Sequence, residues 1–234
     1  MEFGVLGPLS ATQGGVEVPL GQAKQRALLA LLLLHRNRLV PRERLIDELW
    51  SAKPPPAAAK ALNVYVSGLR KVLGDGRLET DATGYILHTQ PAEVDAERFE
   101  ALVREARAAE HAGKLELLDR ALSLWRGDPL ADLRYASFAQ TEIGRLEELH
   151  LAALEERAEA MLALGRHREL TRELEALAAA HRLRERLRGQ LMVALYRSGR
   201  QRRGRTPAST AVACAGSSAR PPFSSPRSSR SSSS

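Results

Sequence analysis

Cys214 is the one cysteine in the chain. A single thiol excludes an internal disulfide framework and any zinc cluster built from several thiolates, and it fits a reducing compartment. Aromatic residues are almost as scarce, at 4%. Ala and Leu dominate instead, which points to helices packed with small and aliphatic side chains. No apolar run is long enough to cross a bilayer. "ALLALLLLH" (27–35) falls far short of the ~20 residues a membrane span needs and reads as one buried helix. The start lacks a secretory pattern, since Glu2 stands where a positive charge is expected and Gly, Pro and Ser follow at once. A cytoplasmic protein without a membrane partner is expected.

Catalytic signatures are missing too. There is no GxxxxGK[ST] phosphate loop. The histidines at 35, 88, 111, 150, 167 and 181 show no paired metal spacing and read as surface or helix-end residues. "EERAE" (155–159) carries Arg157 among its acids and reads as a solvated helix face rather than a di-metal site. Cys214 lies in a polar tail with no base nearby to activate it. Neither an enzyme nor a bound cofactor is expected.

What the chain does have is helical periodicity over apolar content of 44% in 234 residues, enough for one or two domains. Its net charge of +7 is unevenly placed. Residues 1–93 and 94–201 are close to balanced, whereas 202–234 holds six arginines and no acid. The high pI is therefore weak support for nucleic-acid binding by the folded part.

One segment is informative on its own. In "AAAKALNVYVSGLRKVLG" (57–74), Leu62, Tyr65, Val66, Leu69, Val72 and Leu73 form an apolar stripe at helical spacing. Lys60, Asn63, Ser67, Arg70 and Lys71 fall largely on the opposite side, and the segment has no acid. Solvated helix faces usually mix charge signs. A face of cations and small polar groups suits phosphates and base edges, although a surface helix that happens to be basic would read the same way.

Short strands are expected in "EFGVLGPLSAT" and "GVEVPLG", then helices over 22–36, 42–50 and 57–74, then a hairpin from 77–80 and 85–89. Helices are expected at 95–111, 115–126, 136–164, 167–180 and 184–198. Gly165 and Gly199, in the similar turns "LGRH" and "SGRQ", lie 34 residues apart, the period of the tetratricopeptide repeat. From Arg202 the chain is Ser-, Arg- and Pro-rich and reads as disordered. The expected architecture is mainly α with a small β part. It comprises a winged helix-turn-helix (1–92), an all-α tetratricopeptide-like domain (93–201) whose last repeat is incomplete, and the basic tail (202–234).

The segments "GQAKQRALLALLLLHRNRLVPRERLIDELW", "PPPAAAKALNVYVSGLRKVLG" and "GYIL" resemble the OmpR-type winged helix of the Streptomyces antibiotic regulatory protein family. "LSLWRGDPLADL", "RLEELHLAALEERAEAMLALGRHREL" and "LRERLRGQLMVALYRSGRQ" resemble that family's bacterial transcriptional activation domain. The resemblance implies a sequence-specific transcriptional activator of a biosynthetic gene cluster. Such a protein binds double-stranded DNA at promoter direct repeats, associates with itself there and recruits RNA polymerase. It also implies that Lys60, Asn63, Ser67 and Arg70 lie on the recognition helix. Asn63 and Ser67 are then candidates for base edges, and Lys60, Arg70 and Lys71 for phosphates. Arg77 is a candidate for backbone contact at the wing base, and Tyr85 in the wing reads as packing. Two positions depart from the family's pattern. Gly68 stands where relatives often carry arginine, and Asp81 stands near the wing tip where they often carry a base. The polar stretch after Gln201 also departs from it; it reads as a frameshift or truncation, which predicts an exposed apolar side on helix 184–198, or alternatively as a genuine basic tail that adds nonspecific DNA affinity. The alternative to a DNA reader is a helical-repeat interaction scaffold whose winged helix no longer binds DNA specifically.

Overall fold

A computed structural model describes residues 1–50 and 53–199; the basic tail expected at 202–234 lies outside the described residues. The chain opens with a small antiparallel sheet, β1 (Glu2–Gly4), β2 (Ser10–Gln13) and β3 (Val16–Glu17), in the order β1-β2-β3. Helix α1 (Ala23–Leu34) follows, and Ala27 through Leu33 are all buried. A helix that is apolar on every side has to be surrounded. Here α2 (Arg42–Trp50), α3 (Ala58–Leu73) and the strands surround it. On α3 the buried set is Ala58, Leu62, Val66, Leu69 and Leu73, at i, i+4, i+8, i+11 and i+15, one side of a helix.

The second sheet joins β4 (Val40–Pro41) to the hairpin β5 (Leu78–Thr80) and β6 (Gly84–Leu87), in the order β4-β6-β5. A Cβ on Gly84 would stand 2.1 Å from the Val40 carbonyl oxygen, so only glycine lets β6 close against β4 there. The hairpin turn is held by Asp81. Its Oδ1 accepts from the backbone N–H and the hydroxyl of Thr83, both at 3.1 Å, which is an Asx-turn. Three helices and this hairpin make a winged helix-turn-helix.

The remainder is helical: α4 (Asp95–Ala108), α5 (His111–Leu122), α6 (Gln140–Ala163), α7 (His167–Ala180) and α8 (Glu185–Arg197). The break expected between 111 and 115 falls at Ala109 and Glu110, both extended. Gly113 sits inside the first turn of α5. Gly165 and Gly199 end α6 and α8 with φ of +78° and +66°, the left-handed position that favours glycine. After α6, the N–H of Arg166 reaches the Met161 carbonyl at 2.9 Å and that of Gly165 reaches Leu162 at 3.3 Å, a Schellman pair. The exposed apolar side expected on the last helix is present: Met192 and Tyr196 are each 70% exposed.

Between the two halves the core does not stop. One cluster of buried side chains runs from Phe3 through Leu28, Leu69, Phe99 and Leu118 to Ala153. Asp95, at the start of α4, is buried and accepts from the N–H groups of Val5 (2.8 Å) and Leu6 (3.1 Å). Arg126 reaches the same carboxylate at 3.3 Å, and a Cβ on Gly4 would stand 2.1 Å from its Nη2. Asp132 accepts from the Leu9 N–H at 2.9 Å and pairs with Arg26 of α1. The segment after α5 thus ties the helical half to the first sheet and to α1.

Candidate nucleic-acid interface

The polar side of α3 is open. Lys60, Asn63, Ser67 and Lys71 are exposed, and they line one shallow depression with Val64, Gly68 and Gln25 of α1. Lys60 and Lys71 form no salt bridge among the described residues. Both ammonium groups therefore stand free on a face without a carboxylate of its own. Arg70 and Lys71 also sit in the last turn of α3, where the helix dipole favours cations.

Asn63 is more constrained than its neighbours. Its Oδ1 accepts the hydroxyl of the buried Tyr85 at 2.9 Å, so the wing fixes the amide and leaves Nδ2 to donate outward. Tyr85 packs as expected, with the Arg42 guanidinium 5.4 Å from its ring centre.

The structure separates two of the six site residues from the others. Arg70 is half-buried; its Nε donates to the Leu78 carbonyl at 3.0 Å, and its Nη2 bonds the Thr80 hydroxyl. Arg77 donates both Nη atoms to Glu93, each at 2.7 Å. The Glu93 carboxyl is held down to about 2, chiefly by that guanidinium bond, with burial opposing it. The geometry therefore gives Arg70 to bracing the wing on α3 and Arg77 to tying the wing base to the start of the helical half. Phosphate contacts were expected of both; these bonds are to partners on the chain itself. The physical reason is local: each has an acceptor within reach on its own chain, whereas Lys60 and Lys71 have none among the described residues.

Two residues at this face escape a sequence reading. Val64 is 61% exposed, an apolar side chain one step off the buried stripe, and that displacement is a signal the sequence does carry. Gln25 reaches the face only because α1 crosses α3 beside Gly68; a Cβ on Gly68 would lie 2.8 Å from Gln25 Oε1. No spacing in the sequence could announce it.

Comparisons with known proteins bear on this architecture. Residues 16–87 match the family described as transcriptional regulatory protein, C terminal. Residues 94–204 match the bacterial transcriptional activator domain. The chain is 39% identical to the regulatory protein DnrI of Streptomyces peucetius over 215 residues, covering 86% of this chain and 79% of that one. It is 46% identical to the regulatory protein AfsR of Streptomyces coelicolor over 206 residues, again 86% of this chain but 21% of AfsR, so it spans about a fifth of that relative's length. Among solved structures, Mycobacterium tuberculosis EmbR in complex with a low affinity phosphopeptide superposes with a TM-score of 0.79 at 40% identity, covering 85% of this chain and 55% of that one. These relatives are transcriptional regulators rather than enzymes. The chain belongs to the Streptomyces antibiotic regulatory protein family, whose members join an OmpR-type winged helix to a bacterial transcriptional activator domain.

Proposed function

We propose that this chain is a sequence-specific DNA-binding activator that sets α3 in the major groove at promoter direct repeats. Self-association on the DNA and recruitment of RNA polymerase then raise transcription of a biosynthetic gene cluster. The observation that carries this reading is the open face of α3, with Lys60 and Lys71 unpaired among the described residues beside Asn63, Ser67 and Val64. Its chemistry divides by role. Lys60 and Lys71 meet phosphates and position the helix. Asn63, with Oδ1 engaged by Tyr85, offers Nδ2 to a base acceptor such as a purine N7. Ser67 donates or accepts, and Val64 fits against a thymine methyl group. Arg70 and Arg77 act by holding the wing in place rather than by touching DNA.

The test uses the full chain, because the core runs from Phe3 to Ala153 and a cut after α4 would open it. Selection from genomic fragments across a salt series should enrich a repeated motif whose binding weakens steeply with salt. Lys60→Ala/Lys71→Ala in the same chain keeps the basic tail as an internal control. Enrichment lost in that variant supports the reading. Equal, unselective binding by both proteins would favour the scaffold alternative.

A further inference from the structure

The depression on the open face of α3 has one wall that α3 does not supply. Gln25, in the first turn of α1, lines it together with Lys60, Asn63, Ser67 and Lys71. Two glycines flank its carboxamide. A Cβ on Gly68 would stand 2.8 Å from Oε1 and 3.1 Å from Nε2, and a Cβ on Gly21 would stand 2.9 and 2.8 Å from the same atoms. Gly21 has a φ of +81°, which favours glycine, whereas Gly68 lies inside a helix, where glycine is a poor choice. Both positions leave the room that the carboxamide occupies. The residues on either side of Gln25 are committed inside the fold. Lys24 donates to the Leu49 carbonyl and lies 5.8 Å from the centre of the Trp50 ring. Arg26 pairs with Asp132 and donates to the Leu9 carbonyl at 2.7 Å. Gln25 is half-buried and makes no side-chain hydrogen bond among the described residues. Its donor and its acceptor are both free, side by side in one plane.

We infer that Gln25 is a base-reading residue supplied by α1, with Nε2 donating to N7 of an adenine and Oε1 accepting from its N6 amino group. The inference rests on the reading that α3 enters the major groove, and it adds a second helix to the surface that selects the sequence. Adenine is the base whose major-groove edge offers an acceptor and a donor side by side, the complement of a carboxamide. Asn63 is less well equipped for that pairing. Its Oδ1 is taken by the Tyr85 hydroxyl, which leaves one donor, whereas Gln25 keeps both groups for a two-bond contact. Lys60 and Lys71 already bring charge for phosphates to this face, so a neutral carboxamide among them adds selectivity rather than charge. Gly68 is what admits it: a side chain there would fill the place beside Ser67 from α3 itself.

Selection from a library of randomised double-stranded DNA, with the full chain, tests it. The parent's motif should contain an adenine whose preference over the other bases falls about tenfold in Gln25→Ala, the effect of losing a two-bond pair. The rest of the motif and the salt dependence of affinity should stay as they are, since no charge is removed. In Gln25→Glu the same position should turn toward cytosine, whose N4 amino group donates to a carboxylate. Gly68→Ala, which keeps Gln25 but crowds its carboxamide, should relax that position as well. Urea unfolding of each variant separates loss of folding from loss of reading, and Gln25→Glu keeps the shape of the side chain. Uniform weakening over all sequences in Gln25→Ala would mean a phosphate contact and would overturn the inference. A motif unchanged in both Gln25 variants would also overturn it, while leaving the proposed DNA-binding function in place. A parent that enriches no motif would remove that function and this inference together.

Discussion

The outer face of α3 and the outer faces of the helical half both carry cations and use them in opposite ways. In the helical half many of them are bound to acids. Arg145 meets Glu100 and Glu142 at 2.8 and 2.6 Å, Arg157 meets Asp119 and Glu173 at 2.5 and 2.8 Å, and Arg107 and Lys114 share Glu156. On α3, Lys60 and Lys71 meet no acid among the described residues. The same side-chain chemistry therefore closes a surface in one region and leaves it open in the other. Counting charges over the two halves would miss this, because 1–93 and 94–201 are both close to balanced; the difference shows only at the level of α3, whose own segment has no acid.

The largest expected effect separates the two uses. Lys60→Ala/Lys71→Ala should lower DNA affinity at least tenfold and reduce the dependence of log affinity on log salt by about two, near 0.9 for each phosphate left without its lysine. The folded state should keep its stability within about 0.5 kcal/mol, as exposed, unpaired positions do. Affinity measured at several salt concentrations together with urea unfolding checks both halves of the statement. A stability loss without a change in salt slope would place these lysines with the paired arginines.

Arg70 lies on α3 but behaves like the other region, so it tests the boundary between them. Arg70→Ala removes the bonds to the Leu78 carbonyl and the Thr80 hydroxyl, and should cost about 1.5 kcal/mol of stability. DNA affinity should fall through the loosened wing while the salt slope stays nearly unchanged. Arg157→Gln, inside the helical half, should cost about 1 kcal/mol in urea unfolding and leave DNA affinity alone.

Much of this was legible in the sequence, and the limits have physical reasons. The buried stripe of α3 was legible because Leu62, Val66 and Leu69 repeat at the helical period, and the open face because the segment has no acid. The glycines at 165 and 199 announced their helix ends through a conformation that other residues adopt reluctantly. The fates of Arg70 and Arg77 were hidden, since their partners lie on the wing and just beyond it, at distances set by the fold. Asp81, which looked unfavourable at a wing tip, caps its own turn. The seam between the halves was also hidden. Nothing local in "VDAER" says that Asp95 will hold the N–H groups of Val5 and Leu6.

The Arg77–Glu93 pair makes a pH-dependent prediction on the same theme. The folded chain keeps Glu93 ionised down to about 2, whereas the unfolded chain protonates it near the ordinary 4.5. Between those values the unfolded state holds more protons. Stability from this pair is therefore complete above about 4.5 and is lost as the pH falls toward 2. Urea midpoints followed from pH 6 to about 2.5 should fall less steeply in Glu93→Gln than in the parent, although the variant starts lower. Parallel curves would mean that the pair adds nothing in solution.

The smallest effect has the opposite sign and concerns the floor of the open face. Gly68 lies inside α3, where alanine is favoured over glycine by about 1 kcal/mol. The added Cβ would meet Gln25 Oε1 at 2.8 Å and its Cδ and Nε2 at 3.1 Å, all at the far end of a flexible side chain that can swing outward. Gly68→Ala should therefore stabilise the chain by somewhat under about 1 kcal/mol and raise the melting temperature by about 2 °C. Displacing Gln25 also changes the polar groups beside Ser67 and Lys71, so the preferred operator sequence should shift while the salt slope stays the same. A fall in melting temperature would show that the α1–α3 contact is rigid at Gln25. The glycine would then serve close packing of the two helices, and the face would be less adaptable than its open lysines suggest.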